Sequence, residues 1–304
     1  MSRSRLVVAG RRARFAIFCV AIAVFTSSLL PAAEVPVPGE ENAGQDYQWK
    51  DPDGNPLPFQ SHERIAEFLR TASFESINDI ELGVTNPRNV VLEQDGVRMR
   101  AALRDYDETF TEKRFDGGFY PRLRDSFVFD VPAYELAKLL GLDNIPPVAF
   151  RRIGGQRVTL QIWLEGGLME TTRLAEGTPP PSTGWYLRET QNMRVFDSII
   201  GNIDRNTGNI LTDESGDFWL IDHSRSFMRN DDTRYLDRIT MCGRRLFERI
   251  KTLRKEELLP LMSPPLTDSE IDWTLRRRDK VVAHIEELIV TRGDESIVLF
   301  DDSR

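Results

Sequence analysis

A chain of 304 residues, 40% hydrophobic and 29% charged, is long enough for one globular domain or two small lobes with a real core. That composition excludes wholesale disorder, and no repeat array is visible. The formal net charge is −8; five of the 40 Lys and Arg but none of the 48 Asp and Glu lie in residues 1–33, so the remainder carries −13. An acidic body argues against nucleic-acid binding, which uses a basic face.

The N-terminus reads as a signal peptide over residues 1–33. Arg3, Arg5, Arg11, Arg12 and Arg14 form a basic n-region, Phe15 to Phe25 an apolar run, and Pro31-Ala32-Ala33 a small-residue end. The apolar core falls short of the ~20 residues of a spanning helix. The expected location is therefore outside the cytoplasm, periplasmic or extracellular, with an uncleaved N-terminal membrane anchor as the alternative. No second apolar run could span a membrane. Of the two cysteines only Cys242 follows residue 33, so no intrachain disulfide can form, which fits a bacterial envelope.

Residues 34–60 are rich in Pro, Gly, Glu, Asp and Asn and read as a flexible lead-in. His62 to Leu69 reads as a short helix. Asn89 to Glu93 reads as a strand, and Gln94-Asp95-Gly96 as a turn. After it Val97, Met99, Ala101 and Leu103 alternate with Arg98, Arg100, Ala102 and Arg104, the period of a half-buried strand. Ala133, Leu136, Ala137 and Leu140 share one face of a helix over 132–140, which Gly141 stops. Val158 to Leu164 reads as a strand and 178–184 as a loop. The second half is more helical. Helices are expected over 188–201, over 237–253, and from the capping box of Thr267 and Glu270 to about Val290, where Gly293 ends the last one. Two short strands, 209–212 and 218–222, flank the turn at Asp213-Glu214-Ser215-Gly216-Asp217. The expected class is α+β with two lobes: a strand-rich N-lobe with one regulatory helix, 61–165, and a helical C-lobe, 166–304.

The informative stretch is 201–224, which contains Gly201-Asn202-Ile203-Asp204-Arg205-Asn206-Thr207-Gly208-Asn209 and then Leu220-Ile221-Asp222-His223. Phosphoryl transfer asks a protein for a carboxylate beside the attacking hydroxyl and for oxygen ligands that hold magnesium between phosphates. Magnesium takes few protein ligands and keeps waters. A loop carboxylate, Asp204, an amide five residues on, Asn209, and a carboxylate at a hairpin base, Asp222, can converge on one such volume. Taken singly, Asp, Asn and Gly in loops are turn formers; jointly the pattern is more specific.

The stretch resembles the catalytic core of the phosphoinositide-kinase-like group, where Asp-Arg-His-x-x-Asn precedes Ile-Asp-Phe-Gly or Ile-Asp-His-Gly. It is also similar to the atypical secretory-pathway kinases of secreted proteins and glycans, and to their bacterial relatives. Asp130-Val131-Pro132-Ala133-Tyr134-Glu135-Leu136-Ala137-Lys138-Leu139-Leu140-Gly141, followed by Ile145-Pro146-Pro147, resembles their regulatory helix and its exit, and Arg277-Arg278-Asp279 resembles their C-terminal helix. The likeness covers residues 80–300. It implies a two-lobed protein-kinase-like fold that uses ATP with Mg²⁺ or Mn²⁺. Asp204 would be the catalytic aspartate, Asn209 and Asp222 the metal ligands, and Arg205 a structural or phosphate-side contact. Gln161 to Glu165 would fall at the interlobe hinge, where an adenine ring sits, with Gln161 on the nucleotide.

The chain departs from the pattern at several places. Ala101-Ala102-Leu103-Arg104 looks like Val-Ala-Ile-Lys with arginine at the lysine that pairs with nucleotide phosphates. Arginine keeps the charge and grips phosphate in a bidentate way, without being interchangeable with lysine; a solvated strand arginine is the other reading. Asp130 stands where the helix carries glutamate. It either pairs with the longer Arg104 or caps the helix N-terminus. Asn206 replaces the motif histidine, and Ser224 replaces the glycine after Asp222-His223, which removes easy access to positive φ. Leu82 to Pro87, with Gly83, is a candidate phosphate loop or a plain turn.

Two functions follow as expectations. The first is a phosphotransferase acting on a hydroxyl of a secreted or envelope protein or glycan; a lipid acceptor lacks a basic membrane-facing patch. The second is an exported nucleotide-binding pseudokinase that works through protein contacts.

Overall fold

The computed structural model describes residues 47–79, 88–115, 118–180 and 182–301. The signal-peptide reading and the Leu82–Pro87 candidate loop lie outside the described residues.

The segment before the first helix corrects the flexible lead-in. From Tyr47 onward it is packed: Trp49 and Leu57 are buried, and the Gln60 side chain closes the turn by accepting from Trp49 N and donating to the Trp49 and Leu57 carbonyls. The polar composition is real, but two aromatics are enough to anchor it. Tyr47 and Trp49 meet Trp219 edge-on, at ring-centroid distances of 5.4 and 5.0 Å.

Helix α1, His62–Thr71, is capped by Ser61 and buries Ile65, Phe68 and Leu69. An antiparallel sheet follows. Its strands β1 Ser73–Asp79, β2 Arg88–Gln94, β3 Val97–Arg104, β6 Val148–Ile153 and β7 Gln156–Ile162 stand in the order β1-β2-β3-β7-β6. The alternation read in β3 sets its two faces. Met99, Ala101 and Leu103 are buried with the α1 residues Ile65, Phe68 and Leu69, while Ala102 and Arg104 turn to the other side. The register pairs Ala102 with Gln161 and Arg104 with Thr159, so β7 presents Thr159 and Gln161 beside them.

Between β3 and the next helix runs a hairpin that the sequence reading missed, β4 Asp107–Phe115 paired with β5 Gly118–Ser126. Its first strand is mostly exposed, with charges on both faces, so it lacks the one-sided alternation that marks a strand. It is held by a small apolar cluster of its own, Tyr120 and Leu123 with Ile203 and Met228.

Helix α2, Asp130–Leu139, begins two residues earlier than expected; Gly141 follows at φ 75. The second half starts with β8 Leu168–Met169 and α3 Glu170–Ala175. It continues with α4 Thr183–Ile200, β9 Ile210–Thr212 and β10 Phe218–Leu220. The helix expected over 237–253 is shorter. A 3-10 turn over Leu236–Arg238 and an extended Cys242–Gly243 precede α5, Arg244–Thr252. Only Leu246, Phe247 and Ile250 keep helical spacing of buried residues there. Helices α6, Lys255–Met262, and α7, Asp268–Arg292, follow, with the Thr267–Glu270 capping box formed and Gly293 in the left-handed cap, and a short helix α8, Glu295–Val298, comes after them.

The strand-rich and helical parts each have a hydrophobic core, and β10 joins them. Phe218 and Leu220 point into the helical core and Trp219, one residue between, into the sheet core. Period-two alternation thus ties the strand that leads to Asp222 into both parts.

Candidate active site

Helix α4 ends at Gly201, whose φ of 64 turns the chain out of the helix. A Cβ there would also lie 2.8 Å from the Arg277 guanidinium. Arg277, wholly buried, donates to the carbonyls of Ile199 (2.9 Å), Met228 (2.7 Å) and Asn230 (2.6 Å). It thereby ties the end of α4 to the segment beyond Asp222.

Asp197, in the last turn of α4, accepts from Asn202 Nδ2 at 2.9 Å and from Arg205 Nε at 2.8 Å. Arg205 Nη1 in turn donates to the carbonyls of Asn209 (2.6 Å) and Ile221 (2.8 Å). Arg205, expected at the cofactor, makes these contacts within the loop and with the hairpin behind it. Its side chain is 2% exposed, does not line the cavity described below, and spends its donors on Asp197, His223 and backbone carbonyls. Arg205 fixes the loop from behind, in keeping with the structural one of the two roles the resemblance left for it.

The loop closes on itself around Asp204. Its backbone N–H donates to Asn202 Oδ1, and its carbonyl accepts from Asn209 Nδ2 at 2.8 Å. Its carboxylate accepts from Asn206 Nδ2 on Oδ1 (3.0 Å) and from Arg225 Nη1 on Oδ2 (2.8 Å). Asn206, at the motif histidine, is thus a second brace on the carboxylate. Burial pushes the Asp204 carboxyl up, against Arg225 and Asn206, which pull it down.

Asp222 follows β10 at φ 56, a left-handed conformation that aspartate tolerates better than most residues. The positive φ that serine at 224 gives no easy access to falls on Asp222 instead; Ser224 is not among the positive-φ residues, so serine is no handicap there. Burial pushes the Asp222 carboxyl up, but Arg104, the Ser224 hydrogen bonds and Arg205 outweigh it and hold it below its ordinary value. The neighbouring His223 is wholly buried, and burial, with Arg205 and Arg104, drives it well below its ordinary value, so it is neutral. Its Nε2 lies 3.0 Å from Arg205 Nη2. Guanidinium only donates, so that nitrogen is the acceptor and the ring proton sits on Nδ1.

Arg104 faces inward, not to solvent. Its Nη1 lies 3.4 Å from Asp130 Oδ2 and 3.4 Å from Asp222 Oδ1. Asp130 does not cap the helix: it accepts from Arg104, from the backbone N–H of His223 (3.2 Å) and, more weakly, from Thr159 (3.5 Å). Burial pushes its carboxyl up to about 6, against the pull of Arg104.

These groups open on one cavity of about 650 Å³. Asp204, Asn209 and Asp222 line it together with Arg104, Gln161 and Arg225, and Pro146, Trp163, Leu164, Met169 and Leu211 give it apolar walls. Gln161 Nε2 donates to the Pro146 carbonyl at 3.2 Å. Among the described residues no group of three or more His, Cys, Asp or Glu side chains is gathered to hold a metal by itself. The set is an ionised Asp222 and the amide of Asn209. Because Asn209 Nδ2 is committed to Asp204 O, the amide oxygen is the remaining ligand atom. One carboxylate and one amide are the sparse protein share that magnesium takes when phosphate oxygens and waters complete the shell, so the residues fit such an ion.

The structure adds Arg225, Asp125, Thr159 and His223 to the site. Arg225 and His223 lie close after Asp222 in sequence and were within reach of the motif. Asp125 and Thr159 are 97 and 63 residues from it, and only folding brings them in.

No protein-family model matches the chain, and no curated protein does. Among solved structures, the chain is similar to the Golgi casein kinase at 13% identity and TM-score 0.57, over 78% of each chain. It is similar to the same kinase with Mn/ADP bound at 14% identity and TM-score 0.56, over 78% of each. It is similar to hydra Fam20 with sugar at 16% identity and TM-score 0.59, over 80% of this chain and 93% of that one. The chain has the two-lobed kinase-like fold of the atypical secretory-pathway kinases.

Proposed function

We propose that this protein is an atypical phosphotransferase that moves the terminal phosphoryl group of ATP to a hydroxyl on a secreted or envelope protein or glycan. The observation that carries this reading is the meeting of Asp204, Asn209 and Asp222, from a loop and a hairpin base, in one cavity that Arg104 also enters. The Golgi casein kinase of similar fold has been solved with Mn/ADP, which supports a nucleotide in the equivalent cleft here. Residues 61–165 would be the N-lobe and 166–304 the C-lobe, and residues 1–33 a signal that directs export.

In this reading the acceptor oxygen bonds to the terminal phosphorus as the bond from that phosphorus to the leaving diphosphate oxygen breaks. Asp204 orients the acceptor hydroxyl and receives its proton. Arg104, steadied by Asp130, meets the phosphates, and Gln161 lies toward the base. Asn209 and Asp222 would hold Mg²⁺ or Mn²⁺, which neutralises phosphate charge as it develops.

A second reading, a nucleotide-binding pseudokinase, is favoured by one contact. Arg104 stands where lysine is usual and its guanidinium spans both Asp130 and Asp222, so a fixed cation already sits on a metal ligand. Incubation with labelled ATP, Mg²⁺ or Mn²⁺ and an envelope extract separates the two. Transfer that disappears in Asp204→Asn and Asp222→Ala supports the enzyme. Metal-dependent ATP binding with no transfer to any acceptor supports the pseudokinase, and neither binding nor transfer ends both.

A further inference from the structure

Arg225 lies outside the catalytic loop, three residues beyond Asp222, yet it makes the closest ionic contact to Asp204. Its Nη1 is 2.8 Å from Asp204 Oδ2, and its Nε is 2.7 Å from Asp125 Oδ2. Asp125, on β5, is 1% exposed, and its other carboxylate oxygen has no partner among the described residues. A buried carboxylate with one oxygen unsatisfied costs free energy unless the pairing it makes is strong. Its bond to Arg225 is therefore a committed one.

The rest of the hairpin holds the same arginine. Phe115, at the end of β4, lies under the guanidinium at 4.6 Å. The backbone couples the elements as well: Ser126 N–H donates to the Ser224 carbonyl at 2.9 Å and Ile203 N–H to the Arg225 carbonyl at 3.2 Å. Tyr120 and Leu123 of β5 pack with Ile203, the residue before Asp204, and Met228. A guanidinium gripped on Nε by one carboxylate and stacked on a ring has few orientations left, and Nη1 is delivered to Asp204.

We propose that Arg225, braced by the β4–β5 hairpin through Asp125 and Phe115, is the positioning residue that holds the Asp204 carboxylate in its working orientation. Asn206 grips Oδ1 only as a neutral donor, so the charged partner of Asp204 comes from the Asp222 side of the cleft. The inference rests on the phosphotransferase reading, with Asp204 as the acceptor-orienting group. The hairpin thereby acquires a role in catalysis. Without it, Arg225 loses two of its three partners and Asp204 its fixed geometry. A misplacement of about 1 Å in such a group costs a rate on the order of 100-fold.

The test compares full-length wild-type protein with Asp204→Asn, Arg225→Gln, Arg225→Lys and Asp125→Asn, using labelled ATP with Mg²⁺ and dephosphorylated casein as acceptor. Expected are a fall in kcat of about 100-fold in Arg225→Gln, a KM for ATP within about twofold of wild type, and partial recovery in Arg225→Lys. The ATP/Mg²⁺ thermal shift should be kept in Arg225→Gln. The melting-temperature changes of Asp204→Asn and Arg225→Gln should be non-additive in the double variant, because the two groups are paired. Should Arg225→Gln not fold, Asp125→Asn keeps the arginine, frees its brace, and is expected to lower kcat in the same way. The inference is overturned if Asp204→Asn is inactive while Arg225→Gln and Asp125→Asn transfer at the wild-type rate, or if the melting shifts simply add. Wild-type protein that transfers neither to casein nor to any component of an envelope extract, or Asp204→Asn as active as wild type, overturns the underlying phosphotransferase reading instead.

Discussion

Arg205 and Asp197 are a buried pair, 2% and 0% exposed in their side chains. Removing one partner of such a pair leaves an uncompensated charge and costs about 3–5 kcal/mol. Arg205→Ala should therefore lower urea stability by that amount, and an unchanged midpoint would show that the pair is dispensable. Arg104 is different: it enters the cavity, and its two carboxylates hold its charge. Arg104→Ala and Asp130→Ala are both expected to weaken ATP binding by about tenfold or more, the loss of one charge-assisted contact. Titration calorimetry checks this; affinity unchanged in both variants would mean that the pair does not reach the phosphates. Asp204, Arg205, Asn209 and Asp222 were legible because their spacing is local. That Arg205 lies off the cavity was not, since exposure is a property of the packed loop and not of its sequence.

At the scale of elements, the turn out of α4 decides where the catalytic loop starts. Gly201 is in the left-handed region, which costs a residue with a Cβ about 1–2 kcal/mol. Its added Cβ would also press on Arg277. Gly201→Ala should destabilise the fold by at least that conformational cost and reduce transfer, whereas Gly154→Ala, with open space around its Cβ and also at positive φ, should show the conformational cost alone. Denaturant titration of both variants compares them. Helix caps, the β2–β3 hairpin and the alternation of β3 could be read from the chain because they obey short-range rules. The β4–β5 ribbon could not: it is largely exposed, and what fixes it is contact with Ile203 and Met228, far along the chain.

For the whole molecule, two linkages give measurable stability. His62 is buried against Trp49 and near Tyr134, and burial lowers it to about 4. In the unfolded chain a histidine titrates at about 6.5. Between those values the unfolded chain binds a proton that the folded chain refuses, so stability falls as pH drops through that window, by about 3 kcal/mol in all. Urea midpoints from pH 7 to pH 4 should fall more steeply in wild type than in His62→Phe, the difference being the His62 share; an equal slope in both would place the titration elsewhere. Nucleotide binding acts in the other sense. ATP with Mg²⁺ at about 100 times its Kd adds about 2.7 kcal/mol, a rise of roughly 5–10 °C in Tm for a domain of this size. Asp222→Ala should remove the metal-dependent part of that rise.

The chain alone determined the α+β class, most helices, and the acid–amide–acid set, because periodicity, caps and a motif within some twenty residues are written in consecutive positions. Only the tertiary structure decided that Arg104 faces Asp130 and Asp222, that Arg205 is walled off from the cavity, and that Asp125 reaches Arg225 and through it Asp204. Each of those contacts joins residues from different elements, and the burial that gives it its strength exists only once the sheet, the hairpin and the helices have closed around it.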